Sequence, residues 1–170
     1  MGDVVARSTD PALGRIKLAW WREQLQALDE NPPPAEPRLT AAAGHLLPRG
    51  ISGAELAGLE TGWATLLDPE IDPKLVAERG LLLFRLGGSL LGAADPELAD
   101  AGALYALSTV GRRGVPKLLE GAKARLERLR GHRFDRRLRP LTMLARAAMD
   151  GGGGSRALAM LAHRWSGRIG

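Results

Sequence analysis

Asp68 and Asp72, in the segment LLDPEIDPK, have D-x-x-x-D spacing. On a helix, residues four apart share a face, and two carboxylates placed this way can bridge Mg²⁺, a hard cation that prefers oxygen ligands. Here each aspartate precedes a proline, Pro69 and Pro73, and the residue before a proline is pushed out of the helical region. Asp68 therefore reads as a helix stop and Asp72 as the N-cap of the following helix. The three histidines, His45, His132 and His163, lie on separate segments without ligand spacing. There is no Ser-His-Asp or Cys-His arrangement, and no cysteine at all, which excludes disulfides and Cys-ligated zinc. DGGGGSR has the glycines of a phosphate loop but lacks the Lys-Ser/Thr that would touch phosphate and Mg²⁺. Ser155 reads as an N-cap behind a flexible linker, and the helix start with Arg156 is a place for an anion. On these residues no catalytic, cofactor-binding or metal-ligating position is assigned.

The charge is divided along the chain. Residues 111–170 carry 15 Lys and Arg against 4 Asp and Glu, whereas residues 1–110 carry 9 against 15. A basic half can meet nucleic acid, an anionic membrane surface or an acidic protein, or it can pair with its own acidic half. Arg112, Arg113, Lys117 and Arg125 are its candidate anion-binding residues. Nucleic acid fits least well, because only Phe134 and Trp165 accompany the basic residues, which is thin for base stacking.

The elements that must position these residues are helices. Apolar residues make up 45% and aromatics 4%, and abundant Ala, Leu and Arg favour helix over strand. Asp10-Pro11 pairs an N-cap with a proline at the first helical position, and the helix runs to about Asp29. Further helices are expected over Glu36–Leu47; from Ser52 through Leu66, opened by a Ser52/Glu55 capping box; and over Pro73–Leu91. Three or four more follow: after Asp95-Pro96 to Val110, over Pro116–Arg130, over Leu138–Met149, and over Ser155–Trp165. Gly87 and Gly88 inside the fourth helix cost about 1 kcal/mol each relative to alanine, and close helix approach is the reason expected for them. The expectation is an all-α single domain spanning residues 1–170 with seven to eight helices. MGDVVARSTD has no signal-like apolar core, and no apolar run reaches the ~20 residues needed to span a bilayer. A cytoplasmic chain is expected, with peripheral membrane contact left open.

Trp20 and Trp21 are two of the four tryptophans. Neighbouring residues on a helix point about 100° apart, so one face cannot bury both. Leu18, Trp21, Leu25 and Leu28 form one stripe, expected in the core. Leu13, Ile16 and Trp20 form a second, expected to face another neighbour.

STDPALGRIKLAWWREQLQAL resembles the squalene/phytoene synthase family, with Arg15, Leu18, Trp20, Trp21, Arg22 and Leu25 matching its L-x-W-W-R-x-x-L helix. LPRGISGAELAGLETGWATLLDPE and LVAERGLLLFRLGGSLLGAAD are similar to the segments that follow in that family, and ADAGALYALSTVGR sits where its second catalytic helix lies. The resemblance implies the isoprenoid-synthase helical bundle. It also implies head-to-head joining of prenyl diphosphates by Mg²⁺ held on two aspartate-rich helices. This chain departs twice. The first aspartate-rich helix would precede Asp10, where only about ten residues stand, so the bundle reads as truncated at its N-terminus. The second position has no acidic residue between Asp100 and Glu120 and carries Arg112 and Arg113 instead. The chain looks closer to the short branch of the family that includes proteins similar to mitochondrial complex I assembly factors.

The resulting expectation is a non-catalytic binding or assembly module without cofactor. A prenyltransferase, which alone would bring in Mg²⁺, is the alternative, and a nucleic-acid binder the third reading. Without the upstream helix, Leu13, Ile16 and Trp20 are expected to line an uncovered groove. A protein partner, a second copy in a homodimer, or an isoprenoid or lipid chain would fill it, with the basic residues drawing an anionic headgroup or acidic partner.

Overall fold

The computed structural model describes residues 1–149 and 154–169. Among these residues all regular structure is helical, as expected for an all-α chain. They pack as two compact units, residues 1–72 and residues 73–170.

The first unit contains α1 (Gly2–Arg7), α2 (Pro11–Ala27), α3 (Pro37–His45), α4 (Gly53–Ala57) and α5 (Thr61–Ala64), with 3₁₀ turns at Leu47–Arg49 and Thr65–Leu67. Asp10 caps α2 by accepting a hydrogen bond from the Ala12 amide at 2.8 Å, with Pro11 at the first helical position. Leu25 and Leu28 of the first stripe join Leu39, Ala42 and Ala57 in a buried cluster. Burying such side chains contributes roughly 1.5–3 kcal/mol each for the large ones. The Ser52/Glu55 capping box is present, and the Asp29 carboxylate adds two acceptors for the Gly53 and Ala54 amides at 2.5 and 2.8 Å. A Cβ at Gly53 would collide with the Leu25 carbonyl, so α2 and α4 meet backbone to backbone.

The single helix expected from Ser52 through Leu66 is a correction. The chain forms α4, α5 and a 3₁₀ turn there, with Gly58 at the C-cap of α4. Glycine's backbone freedom weakens helix propagation, and the three-residue 3₁₀ turn ends at Asp68, whose backbone is extended ahead of Pro69. Helix α1 was also not expected from the sequence.

The second unit contains α6 (Pro73–Leu90), α7 (Leu98–Gly111), α8 (Leu118–Arg128), α9 (Arg139–Met149) and α10 (Gly154–Ser166). Helix α7 is its core, touching α6, α8 and α9, and almost every one of its residues from Ala101 to Gly111 is buried. It is therefore apolar all round, without a polar face. Helices α6 and α7 cross at Gly80 and Gly102, where a Cβ on either residue would strike the other's carbonyl oxygen. Close approach also occurs at Gly87 and Gly88, to residues of neighbouring helices: Leu141 Cδ2 of α9 lies 2.9 Å from a Cβ at Gly87, and Leu98 Cδ2 of α7 lies 2.6 Å from one at Gly88, which also meets the Ala93 carbonyl oxygen at 3.0 Å.

Helix α10 packs on α9 and ends at Gly167, whose φ of 74° closes the helix by a hydrogen bond from its amide to the His163 carbonyl. The Phe134 amide donates to the Gly167 carbonyl, and the Arg139 guanidinium donates to the Arg164 and Trp165 carbonyls. These bonds satisfy the orphan acceptors that a helix C-terminus leaves. No helix is long and apolar enough to cross a membrane among the described residues.

Candidate functional site

The second stripe of α2 is built by the same helix that builds the core of the first unit. Leu18, Leu25 and Leu28 turn inward and are buried. Trp21 packs against the Leu25–Leu39 cluster but stays half-buried. The expectation of Trp21 as fully core is corrected to a position at the cluster's edge, where it packs against buried residues while its other side stays open to solvent. Leu13, Ile16 and Trp20 lie at i, i+3 and i+7 and are 55%, 65% and 42% exposed. Trp20 sets its ring edge-on to Trp21, with centroids 5.3 Å apart and planes at 82°. Paired aromatics of this geometry gain about 0.5–1.5 kcal/mol beyond their burial. The two adjacent tryptophans thus serve different surroundings, one leaning on the core and the other resting its edge on the first.

The charged residues around this face fix α2 in place. Arg15 pairs with Asp68, and Arg22 lies 3.9 Å from the largely buried Glu60. Gly14 is buried against Ser8 and Leu67, each under 3.0 Å from where a Cβ would stand. At the N-terminus, Arg38 holds the Asp3 carboxyl below the usual carboxylate range by a hydrogen bond of 2.8 Å.

Asp68 stands in a bend, with Asp72 outside the helix just before Pro73, so the two carboxylates do not share a helix face. Asp68 serves Arg15, and the Asp72 amide donates to the Thr65 hydroxyl at 2.9 Å. The three histidines are separate: His45 is exposed, His132 pairs with Asp95 at 3.0 Å, and His163 is buried. No group of three or more His, Cys, Asp or Glu that could hold a metal occurs among the described residues.

The candidate anion-binding residues belong to the second unit. Arg112, Arg113 and Lys117 are exposed just past the end of α7, and Arg125 of α8 is tied to the Asp100 carboxylate, which also draws Arg128 to 3.7 Å. Asp100 therefore neutralises part of the basic surface. The side chains of Ser155 and Arg156, and the preceding Asp150–Gly153, lie outside the described residues.

The sequence reading missed one surface. Leu158, Leu161 and Trp165 of α10 repeat the i, i+3, i+7 spacing of the α2 stripe and are likewise exposed. The signal was there in the spacing, but it is equally the signal of a helix with a buried face.

Comparison with protein-family models, with curated proteins and with solved structures gives no match.

Proposed function

We propose that this chain is a squalene/phytoene synthase-like helical protein that works by binding a protein partner, not by coupling prenyl diphosphates. The observation that carries the reading is the Leu13–Ile16–Trp20 face of α2. Three large apolar side chains stand in line on one helix, while Arg15 and Arg22 beside them are drawn to carboxylates of their own unit. Contiguous apolar surface of this kind marks interaction sites on soluble domains. A partner helix laid along α2 would bury all three side chains, and a second copy is the simplest partner, since an isologous contact needs only one self-complementary face. The diversion of Asp68 to Arg15, away from any position shared with Asp72, supports a role outside Mg²⁺-dependent chemistry.

Sedimentation equilibrium of the wild type and of Ile16→Glu, alone and with candidate partners, tests this reading. Association that Ile16→Glu abolishes without loss of helix content is the expected result. Purified protein incubated with farnesyl or geranylgeranyl diphosphate and Mg²⁺ is expected to yield no coupled product, and turnover above a no-protein control would overturn the proposal.

A further inference from the structure

Helices α9 and α10 form a surface of unusual composition. Residues 136–149 and 154–169 contain seven arginines and no carboxylate. On α10, Leu158, Leu161 and Trp165 are 70%, 51% and 79% exposed, and Leu144 of α9 is 46% exposed. A groove of about 760 Å³ is lined by Pro140 and Met143 of α9, by Leu161 and Trp165 of α10, and by Arg136, Arg139 and Arg164.

The outward aim of these residues is set by the inner face. His163 is buried, with Thr142 at 2.9 Å on one ring nitrogen and the Arg168 carbonyl at 2.8 Å on the other. Arg139 clasps the last carbonyls of α10. With that side committed, α10 cannot roll to hide its leucines and tryptophan.

We propose that this α9–α10 surface docks on a membrane leaflet rich in anionic phospholipid. Charge complementarity names the occupant. With no carboxylate in the sequence of either helix, the arginines call for a dense array of negative charge, while leucines and an indole standing between them call for an apolar phase directly behind it. An anionic bilayer supplies both within a few ångströms, whereas a nucleic acid supplies only the first. Amphipathic helices that lie in the interface plane combine basic residues with Trp and Leu in this way. At 13 residues, α10 is suited to lying on the surface, being about 20 Å long where a span needs about 30 Å. Leu158, Leu161 and Trp165 enter the boundary between headgroups and acyl chains, and Arg136 and Arg164 meet the phosphates. This surface lies in the second unit and is independent of the α2 face.

Co-sedimentation of the full chain with vesicles of phosphatidylcholine alone, and of an equal mixture with phosphatidylglycerol, tests the proposal. Partitioning is expected to be more than tenfold greater onto the anionic vesicles and to weaken with added salt, as attraction to a charged surface must. Arg164→Gln should reduce it about fivefold, the effect of one cationic side chain near such a surface. Replacing Leu158 and Leu161 together by Gln should cost at least about tenfold, because their burial is lost. Both leucines are exposed, so circular dichroism is expected to show an intact fold. Trp165→Phe should keep binding but remove the blue shift of indole emission that vesicles induce. Equal partitioning onto neutral and anionic vesicles would overturn the proposal. So would anionic binding unchanged in the double leucine variant, or a DNA duplex bound as tightly as the anionic vesicles and with no dependence on the leucines.

Discussion

Introducing a single methyl group where α6 and α7 cross should separate the two helices. A Cβ at Gly102 would collide with the Gly80 carbonyl oxygen and stand 2.7 Å from its carbon and 2.9 Å from Phe84 Cβ. None of these is the loose end of a flexible side chain, so the backbones must part by about 1 Å to restore ordinary contact. A gap of that size forfeits a quarter to a half of each dispersion contact across the crossing. Fully buried Phe84 and Leu104 lie on these two helices. Alanine's better helix propensity returns about 1 kcal/mol, against an overpacking cost of about 1–3 kcal/mol or more. Because the clash is with backbone, the cost lies at the upper end of that range, and the net expectation for Gly102→Ala is a loss of about 2 kcal/mol. Gly80→Ala should cost a similar amount, because it meets the Gly102 carbonyl and Ala106 Cβ in the same crossing. The double variant should cost clearly less than the two together, since helices already parted by one methyl have room for the other. Two controls separate this clash from a generic glycine effect. Gly87→Ala meets only the tip of Leu141, and Gly44→Ala of α3 meets nothing within 4 Å, so these should be neutral or stabilising by up to about 1 kcal/mol. Urea denaturation followed by circular dichroism measures the five variants against the wild type. Gly102→Ala as stable as the wild type, or strict additivity of Gly80→Ala and Gly102→Ala, would refute the backbone crossing.

Two further expectations concern single side chains. Trp21→Ala should destabilise by about 2–3 kcal/mol, below the 3–5 kcal/mol of a fully buried aromatic, because its ring is half-exposed. Trp20→Ala should cost about 0.5–1.5 kcal/mol, chiefly its edge contact with Trp21; a larger loss than for Trp21→Ala in thermal melts would contradict the assignment of the two stripes. Burial lowers the pKa of His163 below its usual 6.5, so between the folded and unfolded pKa values the unfolded chain binds the extra proton. Stability from this site is therefore complete above about pH 6.5 and falls as pH drops below it, by at most about 1.4 kcal/mol per pH unit. Denaturation at pH 7.5, 6.5 and 5.5 should show a shallower fall for His163→Gln than for the wild type, and identical slopes would remove His163 from the account.

Much of the local structure was legible because its causes are local. The Asp10-Pro11 start of α2, the Ser52/Glu55 box and the breaks at Asp68-Pro69 and Asp72-Pro73 rest on residues a few positions apart, where capping and proline sterics act. The two apolar stripes of α2 were legible for the same reason: helical periodicity assigns residues to faces. Periodicity does not say which face finds a partner. Leu18 and Leu13 are equally apolar, and only packing within the first unit, chiefly of α4 on α2 and of Leu39 and Ala42 in the cluster around Leu25 and Leu28, buries the first stripe and leaves the second in water. The same ambiguity leaves Leu158, Leu161 and Trp165 without an assigned face in the sequence, and only the contacts of His163 and Arg139 turn the other side of α10 to the protein. Tertiary structure alone also decided that Gly80 and Gly102 touch, that Asp100 claims Arg125, and that the Ser52–Leu66 stretch breaks into short helices. Each depends on residues brought together from distant parts of the chain, or on a balance between weak helix propensity at glycine and packing that no local window contains.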